Sequence, residues 1–308
     1  MDVVRVSTSL VTVPVKVMDQ RGRFIPGIEP GQFHLYENGI EQEIAFFEKA
    51  EKPFTVALLL DTSSSTKFKL NEIQDAAIAF VGQLRADDRV IVAAFDKKVT
   101  ILAEATSDRG LLQDAIRRAQ TGGRTSLYNA IDVIVNQRLS RISGRKAIVL
   151  FTDGVDTASL GATYQGTLRA SEELDALVYA VRYNTYDDAT KDAVRGLPLG
   201  QTAYSDLRTA SGERLNVAYA RADRYLHLMT NNSGGRFFYA DTLKHLTEVF
   251  THIAKELREQ YSLGYYPKNH GPGADQRRIN VKVSMPGVVV RARKSYAFKP
   301  PPGKNGKS

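Results

Sequence analysis

The chain changes its pattern of apolar positions twice along its length. Residues 3–19 and 32–48 alternate between apolar and polar positions, which is typical of half-buried strands. From residue 54, short apolar segments alternate with segments whose apolar residues recur every three or four positions, which is typical of amphipathic helices. After residue 260 the period of two returns. The pattern therefore predicts β structure at both ends of the chain and α/β structure between them.

The middle region contains both strand and helix patterns. The predicted strands cover residues 54–60, 89–95, 98–103, 147–151, 176–181 and 236–239. The predicted helices cover residues 70–84, 108–119, 126–140, 222–231 and 242–259. Strands that alternate with helices form mostly parallel sheets with helices on both faces. We therefore predict an α/β fold with a Rossmann-like, doubly wound, mostly parallel six-stranded sheet.

The two ends of the chain are predicted to form one unit. After residue 260, the sequence predicts strands over 261–266, 278–284 and 288–298. Each end supplies about three strands, which is too few for a stable domain of its own. We therefore expect a small β-sandwich built from both ends, with the α/β domain inserted between its halves. The expected boundaries are 1–52 and 260–299 for the two halves, 53–259 for the inserted domain and 300–308 for a disordered basic tail.

The net charge of +8 is concentrated at one end of the chain. Residues 261–308 contain ten Lys and Arg against the single acid Asp275, so the preceding residues sum to −1. A basic segment can bind nucleic acid or an anionic surface, but this one lacks interleaved aromatic residues, which favours a solvated terminus. The absence of cysteine excludes disulfides and thiolate metal sites. No apolar run approaches the roughly 18 residues of a membrane span.

Three polar loops are predicted to meet at one edge of the sheet. Residues 61–65, at the end of the first strand of the middle region, form a D-x-S-x-S motif. Residues 122–125 read Gly-Gly-x-Thr and precede a predicted helix, and residues 152–154 read Thr-Asp-Gly after another buried strand. Ligands of open α/β sheets bind at the carboxyl ends of the strands. A binding site is therefore expected where these loops meet.

The side chains of these loops offer oxygen ligands. They are the carboxylates of Asp61 and Asp153 and the hydroxyls of Ser63, Ser65 and Thr125. Oxygen-only sites suit hard cations such as Mg²⁺, Ca²⁺ or Mn²⁺. Because only two formal negative charges face the ion, we expect it to accept one more anionic oxygen from outside. The alternative is that the serines cap the following helix and Asp153 caps a turn.

The three motifs, in this order, resemble the metal-ion-dependent adhesion site of von Willebrand factor type A domains, including the inserted domains of integrins. The resemblance covers about residues 53–259. It implies a protein-binding module for adhesion or complex assembly, not an enzyme, in which Asp or Glu of a protein partner completes the coordination of the metal. The metal ligands that it implies are Asp61, Ser63, Ser65, Thr125 and Asp153.

The flanking segments also show a resemblance. Residues 11–27, 33–47 and 260–265 resemble bacterial proteins related to this domain, which are often exported, so we expect a secreted, periplasmic or cell-surface protein. Met1 leads into the alternating pattern without a signal peptide, so we expect a trimmed N-terminus. The polar stretch 183–221 departs from the family pattern, and it either covers the metal edge or is a disordered insertion.

Two other functions stay open at this point. A Mg²⁺-dependent phosphoryl-transfer or hydrolytic enzyme would use the same aspartates, but Arg124 is the one basic residue of the three loops. Nucleic-acid binding would use residues 261–308, although we expect no nucleic-acid partner. Asp156 could support Asp153 but is expected to be a solvated surface acid, and Asp96 is ambiguous in the same way. The sequence leaves the oligomeric state open.

Overall fold

Strands occupy both ends of the chain, and strands and helices share its middle. The computed structural model describes residues 10–49, 52–66, 69–183, 185, 207–209, 211–240, 242–268 and 276–297. The strands are β1 (Val11–Met18), β2 (Phe33–Glu37), β3 (Ile40–Gln42), β4 (Ile44–Glu48), β5 (Phe54–Asp61), β6 (Arg89–Phe95), β7 (Val99–Thr106), β8 (Arg145–Thr152), β9 (Leu177–Arg182), β10 (Arg236–Tyr239), β11 (Tyr261–Tyr265), β12 (Gln276–Val283), β13 (Val289–Ala292) and β14 (Ser295–Ala297). The α-helices are α1 (Leu70–Gln83), α2 (Arg109–Arg117), α3 (Leu127–Asp132), α4 (Tyr164–Glu173), α5 (Leu215–Ser233) and α6 (Leu243–Arg258).

A six-stranded sheet has the strand order β10-β9-β8-β5-β6-β7. Neighbouring strands pair in parallel, except that β6 and β7 are antiparallel. This arrangement confirms the predicted α/β fold with a mostly parallel, six-stranded sheet. Strand β7 reaches Thr106, beyond the predicted end at residue 103.

Helices cover both faces of this sheet. Along β5, Val56 and Leu58 belong to one apolar core with α1, α2 and α6, whereas Ala57 and Leu59 belong to a second core with α3, α4 and α5. Successive side chains of a strand point to opposite faces. A strand covered on both sides is therefore apolar at most positions, which explains why six of the seven residues 54–60 are apolar.

Three helices differ from the prediction. Helix α3 ends at Asp132, and the rest of the predicted segment 126–140 forms a π-helix, Val133–Arg138, followed by a 3-10 turn that begins at Leu139. Helix α4 has no predicted counterpart, because two of its three buried side chains, Thr167 and Ser171, are polar and hide the apolar period. Helix α5 is longer than the predicted segment 222–231 and begins at Leu215. Within the stretch 183–221, residues 184, 186–206 and 210 lie outside the described residues.

Two four-stranded sheets combine strands from both ends of the chain. Their orders are β13-β1-β11-β4 and β14-β12-β2-β3, and they share one apolar core that includes Val13, Leu35, Leu263 and Val281. The prediction of a single strand over 288–298 is wrong. The chain forms β13 in one sheet and β14 in the other, because it crosses between the sheets at residues 293–294. The predicted tail 300–308 lies outside the described residues.

A buried carboxylate connects the two ends inside this core. Glu37, which is 4% exposed, accepts hydrogen bonds from the hydroxyls of Tyr265 at 2.6 Å and Tyr296 at 2.7 Å. Its other oxygen pairs with the guanidinium of Arg277 at 2.5 Å. A buried carboxylate is tolerated only with such partners. All three partners come from the C-terminal segment, so the two ends stabilise each other.

An ionic cluster joins α6 to the first of these sheets. Glu256 is 1% exposed and forms ion pairs with Arg291 of β13 and with Arg236, at 3.7 Å, of β10. Lys16 of β1 lies 3.5 Å from Glu259, directly after α6. The last helix of the α/β region is therefore tied to the flanking strands by charged side chains as well as by the chain itself.

Candidate metal centre

The first two predicted loops lie together at the carboxyl end of the six-stranded sheet. The backbone N–H of Gly122 donates to the carbonyl of Thr62 at 2.7 Å, and the N–H of Ser64 donates to the carbonyl of Gly123 at 2.8 Å. These reciprocal bonds hold the loop after β5 against the loop before α3. The positions of the two loops are therefore fixed by backbone atoms and not only by side chains.

Four of the five predicted ligands form one hydrogen-bonded cluster. The hydroxyls of Ser63 and Ser65 are 3.0 Å apart, and the Ser65 hydroxyl donates to Oδ2 of Asp153 at 3.0 Å. The backbone N–H of Ser63 donates to Oδ1 of Asp61 at 3.0 Å. Asp61, Ser63 and Asp153 are buried, and Ser65 is half-buried. Residues from two separate strand ends thus meet in a small polar cluster.

The charge of this cluster is uncompensated by its own hydrogen bonds. Burial raises the pKa of Asp61, and the carboxylate of Asp153 raises it further. Bonds from the Ser63 N–H and from the Thr152 hydroxyl, at 2.6 Å, offset this effect only in part. A bound divalent cation would remove the repulsion between the carboxylates. The donor set, two carboxylates and nearby hydroxyls, therefore fits Mg²⁺, Ca²⁺ or Mn²⁺.

Thr125 is placed by its backbone. Its N–H donates to the hydroxyl of Thr157 at 2.9 Å, and its carbonyl accepts from the N–H groups of Thr157 and Ala158 at 2.9 and 2.8 Å. The second loop is thereby bonded to the segment after β8, as well as to the loop after β5. Among the described residues, no hydrogen bond joins the Thr125 hydroxyl to the other four predicted ligands.

Sequence reasoning missed Thr152 and Thr185 as partners of the two carboxylates. Thr152 directly precedes Asp153, and this position next to a predicted ligand is the sequence feature that could have identified it. Thr185 is fully buried, and its hydroxyl donates to Oδ2 of Asp153 at 2.6 Å. Thr185 lies in the stretch 183–221. The departure of this stretch from the family pattern is the only sequence feature that points to a role for it in the site.

Tyr183 also lies close to the two carboxylates. Its ring stacks on that of Phe151, with the centroids 4.5 Å apart. Burial raises the pKa of the Tyr183 hydroxyl, and the charges of Asp61 and Asp153 raise it further. This hydroxyl is buried and has no hydrogen-bond partner within the described part of the chain. The stacked rings of Phe151 and Tyr183 therefore border the cluster at the ends of β8 and β9.

The other two acids of this region have structural partners. Asp156 is not a solvated surface acid, because it is half-buried and accepts a bond from the backbone N–H of Tyr128 at 3.1 Å. It thereby satisfies a free N–H in the first turn of α3. Asp96 accepts bonds from the N–H groups of Lys98, at 2.8 Å, and Gly123, at 3.3 Å. Both acids support the loops of the cluster.

The basic residues that precede the C-terminus occupy another part of the molecule. Arg278, Lys282 and Lys294 line an open cavity of about 970 Å³ together with Tyr36, on the sheet that contains β12 and β14. The described residues contain no group of three His, Asp or Glu side chains suited to a metal ion. No helix of the described ranges has the length and apolar character that crossing a membrane demands.

Comparison with known proteins gives one family match and several similar structures. A von Willebrand factor type A protein from Catenulispora acidiphila is 10% identical, covers 96% of this chain and 75% of its own, and gives a TM-score of 0.48. Protein BatB from Bacteroides thetaiotaomicron is 16% identical, with coverages of 67% and 98% and a TM-score of 0.47. Proximal thread matrix protein 1 from the mussel byssus, solved with a zinc-occupied MIDAS motif, is 12% identical, with coverages of 72% and 49% and a TM-score of 0.49.

These structural similarities are too distant to carry a functional conclusion. None of the curated proteins compared with the chain matches it. The family model of the von Willebrand factor type A domain matches residues 56–155, a segment that contains all five predicted ligands. Over residues 56–155 the chain is therefore similar to von Willebrand factor type A domains.

Proposed function

We propose that this protein is a divalent-cation-dependent binding module for adhesion or complex assembly. An ion, Mg²⁺ or alternatively Ca²⁺ or Mn²⁺, binds at Asp61, Ser63, Ser65, Thr125 and Asp153. The observation that carries this proposal is the buried pair of carboxylates, Asp61 and Asp153, in one cluster with serine hydroxyls at the carboxyl end of the sheet. The family match over residues 56–155 supports it.

The partner supplies a carboxylate. The two aspartates only neutralise the charge of a divalent ion and the hydroxyls add no charge, so the occupied site is not net negative and does not repel a further anionic oxygen, which the ion can accept as a ligand. A side chain of Asp or Glu on a protein partner has this chemistry. Backbone hydrogen bonds fix the positions of the loops, so little ordering cost opposes binding.

The same site is poorly equipped for catalysis. Phosphoryl transfer or hydrolysis on a metal needs a general base or a positioned nucleophile, and a cationic clamp. The described bonds of the two carboxylates run to hydroxyls and backbone N–H groups. His34 bonds to Glu41, and His252 pairs with Glu256, both away from these loops. We therefore propose a non-enzymatic role.

The family resemblance supports a proposal for the cellular location of the protein. We propose an exported protein, secreted, periplasmic or at the cell surface. We propose no nucleic-acid partner, because the basic segment 261–308 lacks the interleaved aromatic residues of RNA-binding surfaces. The partner is a protein that presents Asp or Glu to the ion.

Metal-linked stability tests the ion site. Mg²⁺ at a hundred times its Kd is expected to raise the free energy of unfolding of the unmodified protein by about 2.7 kcal/mol. Asp61→Asn should abolish this gain. Asp88→Asn is the matched control, since Asp88 is equally buried at the opposite end of β5, where it accepts the N–H of Phe54, and it should keep the gain. An Asp61→Asn protein that still responds to Mg²⁺ would overturn the site.

Affinity capture tests the partner. The protein is immobilised with Mg²⁺, with chelator, and as Asp61→Asn, and exposed to extract from its source. We expect a partner that is retained with Mg²⁺, released by chelator and absent from the variant. Retention that survives chelation contradicts the proposal, and salt-sensitive binding of any duplex under those conditions would favour the nucleic-acid alternative. Metal-dependent turnover of a phosphoester would favour the enzyme.

A further inference from the structure

Asp153 is held by a residue that the motifs of the site do not include. Oδ2 of Asp153 accepts two hydroxyl bonds, from Ser65 at 3.0 Å and from Thr185 at 2.6 Å. Oδ1 accepts the backbone N–H of Val155 at 3.0 Å. The carboxylate is therefore fixed on both oxygens, and the shortest of these bonds comes from the segment after β9.

Thr185 is itself held by a second hydroxyl. The hydroxyls of Thr185 and Tyr219 are 2.6 Å apart, and Thr185 is fully buried. The ring of Tyr219 lies under the guanidinium of Arg182, 5.7 Å from its centroid, and packs in a small apolar cluster with Val155. Tyr219 is thus anchored by helix α5 and by β9, and its hydroxyl has a defined position.

The direction of these bonds follows from the number of protons. A carboxylate only accepts, so the single proton of the Thr185 hydroxyl goes to Asp153. The bond between Tyr219 and Thr185 then requires the proton of Tyr219. Burial and the charge of Asp153 raise the pKa of Tyr219, so that proton is present at neutral pH. The chain of donors runs from Tyr219 to Thr185 to Asp153.

We propose that Thr185, held by Tyr219, is a positioning residue of the metal site that sets the affinity for the divalent ion through Asp153. The inference rests on the proposed function and deepens it, because it gives the segment after β9 a role in the site. Groups that hydrogen-bond a metal-binding carboxylate fix its orientation, and their loss typically costs about 10- to 100-fold in metal affinity. Thr185 and Tyr219 act on the ion only through the carboxylate that they hold.

The chain contains a matched pair of hydroxyls away from the site. Thr167 of α4 and Tyr225 of α5 are both buried, with their hydroxyls 2.7 Å apart. Removing either hydroxyl of this pair deletes a buried Thr–Tyr hydrogen bond, as at Thr185 and Tyr219, without touching Asp153. Thr167→Val and Tyr225→Phe therefore measure the purely structural part of the effect.

The test is a titration with Mg²⁺ alone, followed by calorimetry, on the full chain. Thr185→Val should weaken Mg²⁺ binding by about 10- to 100-fold, Tyr219→Phe by a smaller factor, and Thr185→Ser, which keeps the hydroxyl, by only a few-fold. Thr167→Val and Tyr225→Phe should bind Mg²⁺ like the unmodified protein. Urea denaturation of each variant reports stability separately.

The measured affinities distinguish a failure of this inference from a failure of the proposed function. If Thr185→Val and Tyr219→Phe keep the unmodified affinity, Thr185 is only a packing residue and the inference is overturned. If Thr185→Val does not fold, Tyr219→Phe decides the same question: weaker Mg²⁺ binding than in Tyr225→Phe supports the proposal, and equal binding in the two variants overturns it. If the unmodified protein binds none of Mg²⁺, Ca²⁺ and Mn²⁺, the proposed function fails together with the inference.

Discussion

Gly122 offers a sharp test of the loop geometry behind the proposed ion site. A Cβ added to Gly122 would meet the carboxylate of Asp96 and would lie 2.6 Å from the Cβ of Asp96. The Cβ of Asp96 is fixed by the backbone, so a new side-chain rotamer does not remove the contact. An ordinary contact needs at least 3.4 Å, so the Gly122→Ala substitution must move the loop by about 0.8 Å.

A movement of that size reaches the metal ligands. It breaks or strains the bond of 2.7 Å from the Gly122 N–H to the carbonyl of Thr62, and it displaces Thr125 on the same loop. Binding constellations tolerate errors of about 0.5 Å. We expect Gly122→Ala to cost about 1–3 kcal/mol in the free energy of unfolding. We also expect it to weaken Mg²⁺ binding by at least about tenfold.

The neighbouring glycine is the control. A Cβ at Gly123 meets no atom within 4 Å, so Gly123→Ala should change the free energy of unfolding by less than about 1 kcal/mol. It should leave Mg²⁺ affinity unchanged. Both variants are measured by urea denaturation and by calorimetric titration. Unchanged Mg²⁺ affinity in Gly122→Ala, or equal losses in both variants, would refute the reasoning.

Three further predictions concern the rest of the molecule. Burial lowers the pKa of Lys16 from its ordinary value of 10.5 to about 8, despite the attraction of Glu259. Between about pH 8 and pH 10.5 the unfolded chain therefore binds more protons than the folded protein, so the free energy of unfolding rises with pH. Lys16→Met should flatten this rise when urea denaturation is measured at several pH values. Glu256→Leu leaves Arg291 without its counter-ion and should cost about 3 kcal/mol in urea denaturation, and a loss below about 1 kcal/mol would contradict the role of the cluster. We propose domain boundaries near residues 52 and 259; deleting residues 1–50 should then cause aggregation on size-exclusion chromatography, whereas a monomeric deletion variant would argue for independent flanks.

The six-stranded sheet was predictable from the sequence because its strands are buried on both faces. A run such as residues 54–60 has few other interpretations, and polar motifs directly after such runs mark the carboxyl end of the sheet. Helix α4 was not predictable, because Thr167 and Ser171 are buried with their hydroxyls bonded to backbone carbonyls. A polar side chain that finds its partner within its own helix looks the same in sequence as an exposed one.

Long-range partners account for what the sequence left undetermined at the site. The role of Asp96 depends on the space that Gly122 leaves free, and that of Thr185 depends on a strand and a helix that approach Asp153 from elsewhere in the chain. The partners of Glu37 lie more than two hundred residues away in sequence. Residue type and spacing identify which side chains can bind a cation, but which neighbours orient them is decided only by the packing.

The cluster at the carboxyl end of the sheet separates folding from ion binding. The backbone hydrogen bonds that hold the loops together, from Gly122 to Thr62 and from Ser64 to Gly123, involve none of the side-chain oxygens that would bind the ion, so they fix the loops independently of it. The proximity of Asp61 and Asp153 is the unfavourable feature that remains, and an ion would relieve it. Small zinc domains differ, because in them metal binding supplies the folding free energy. In this chain the sheet would persist without metal, and ion binding would add stability to a fold that already exists.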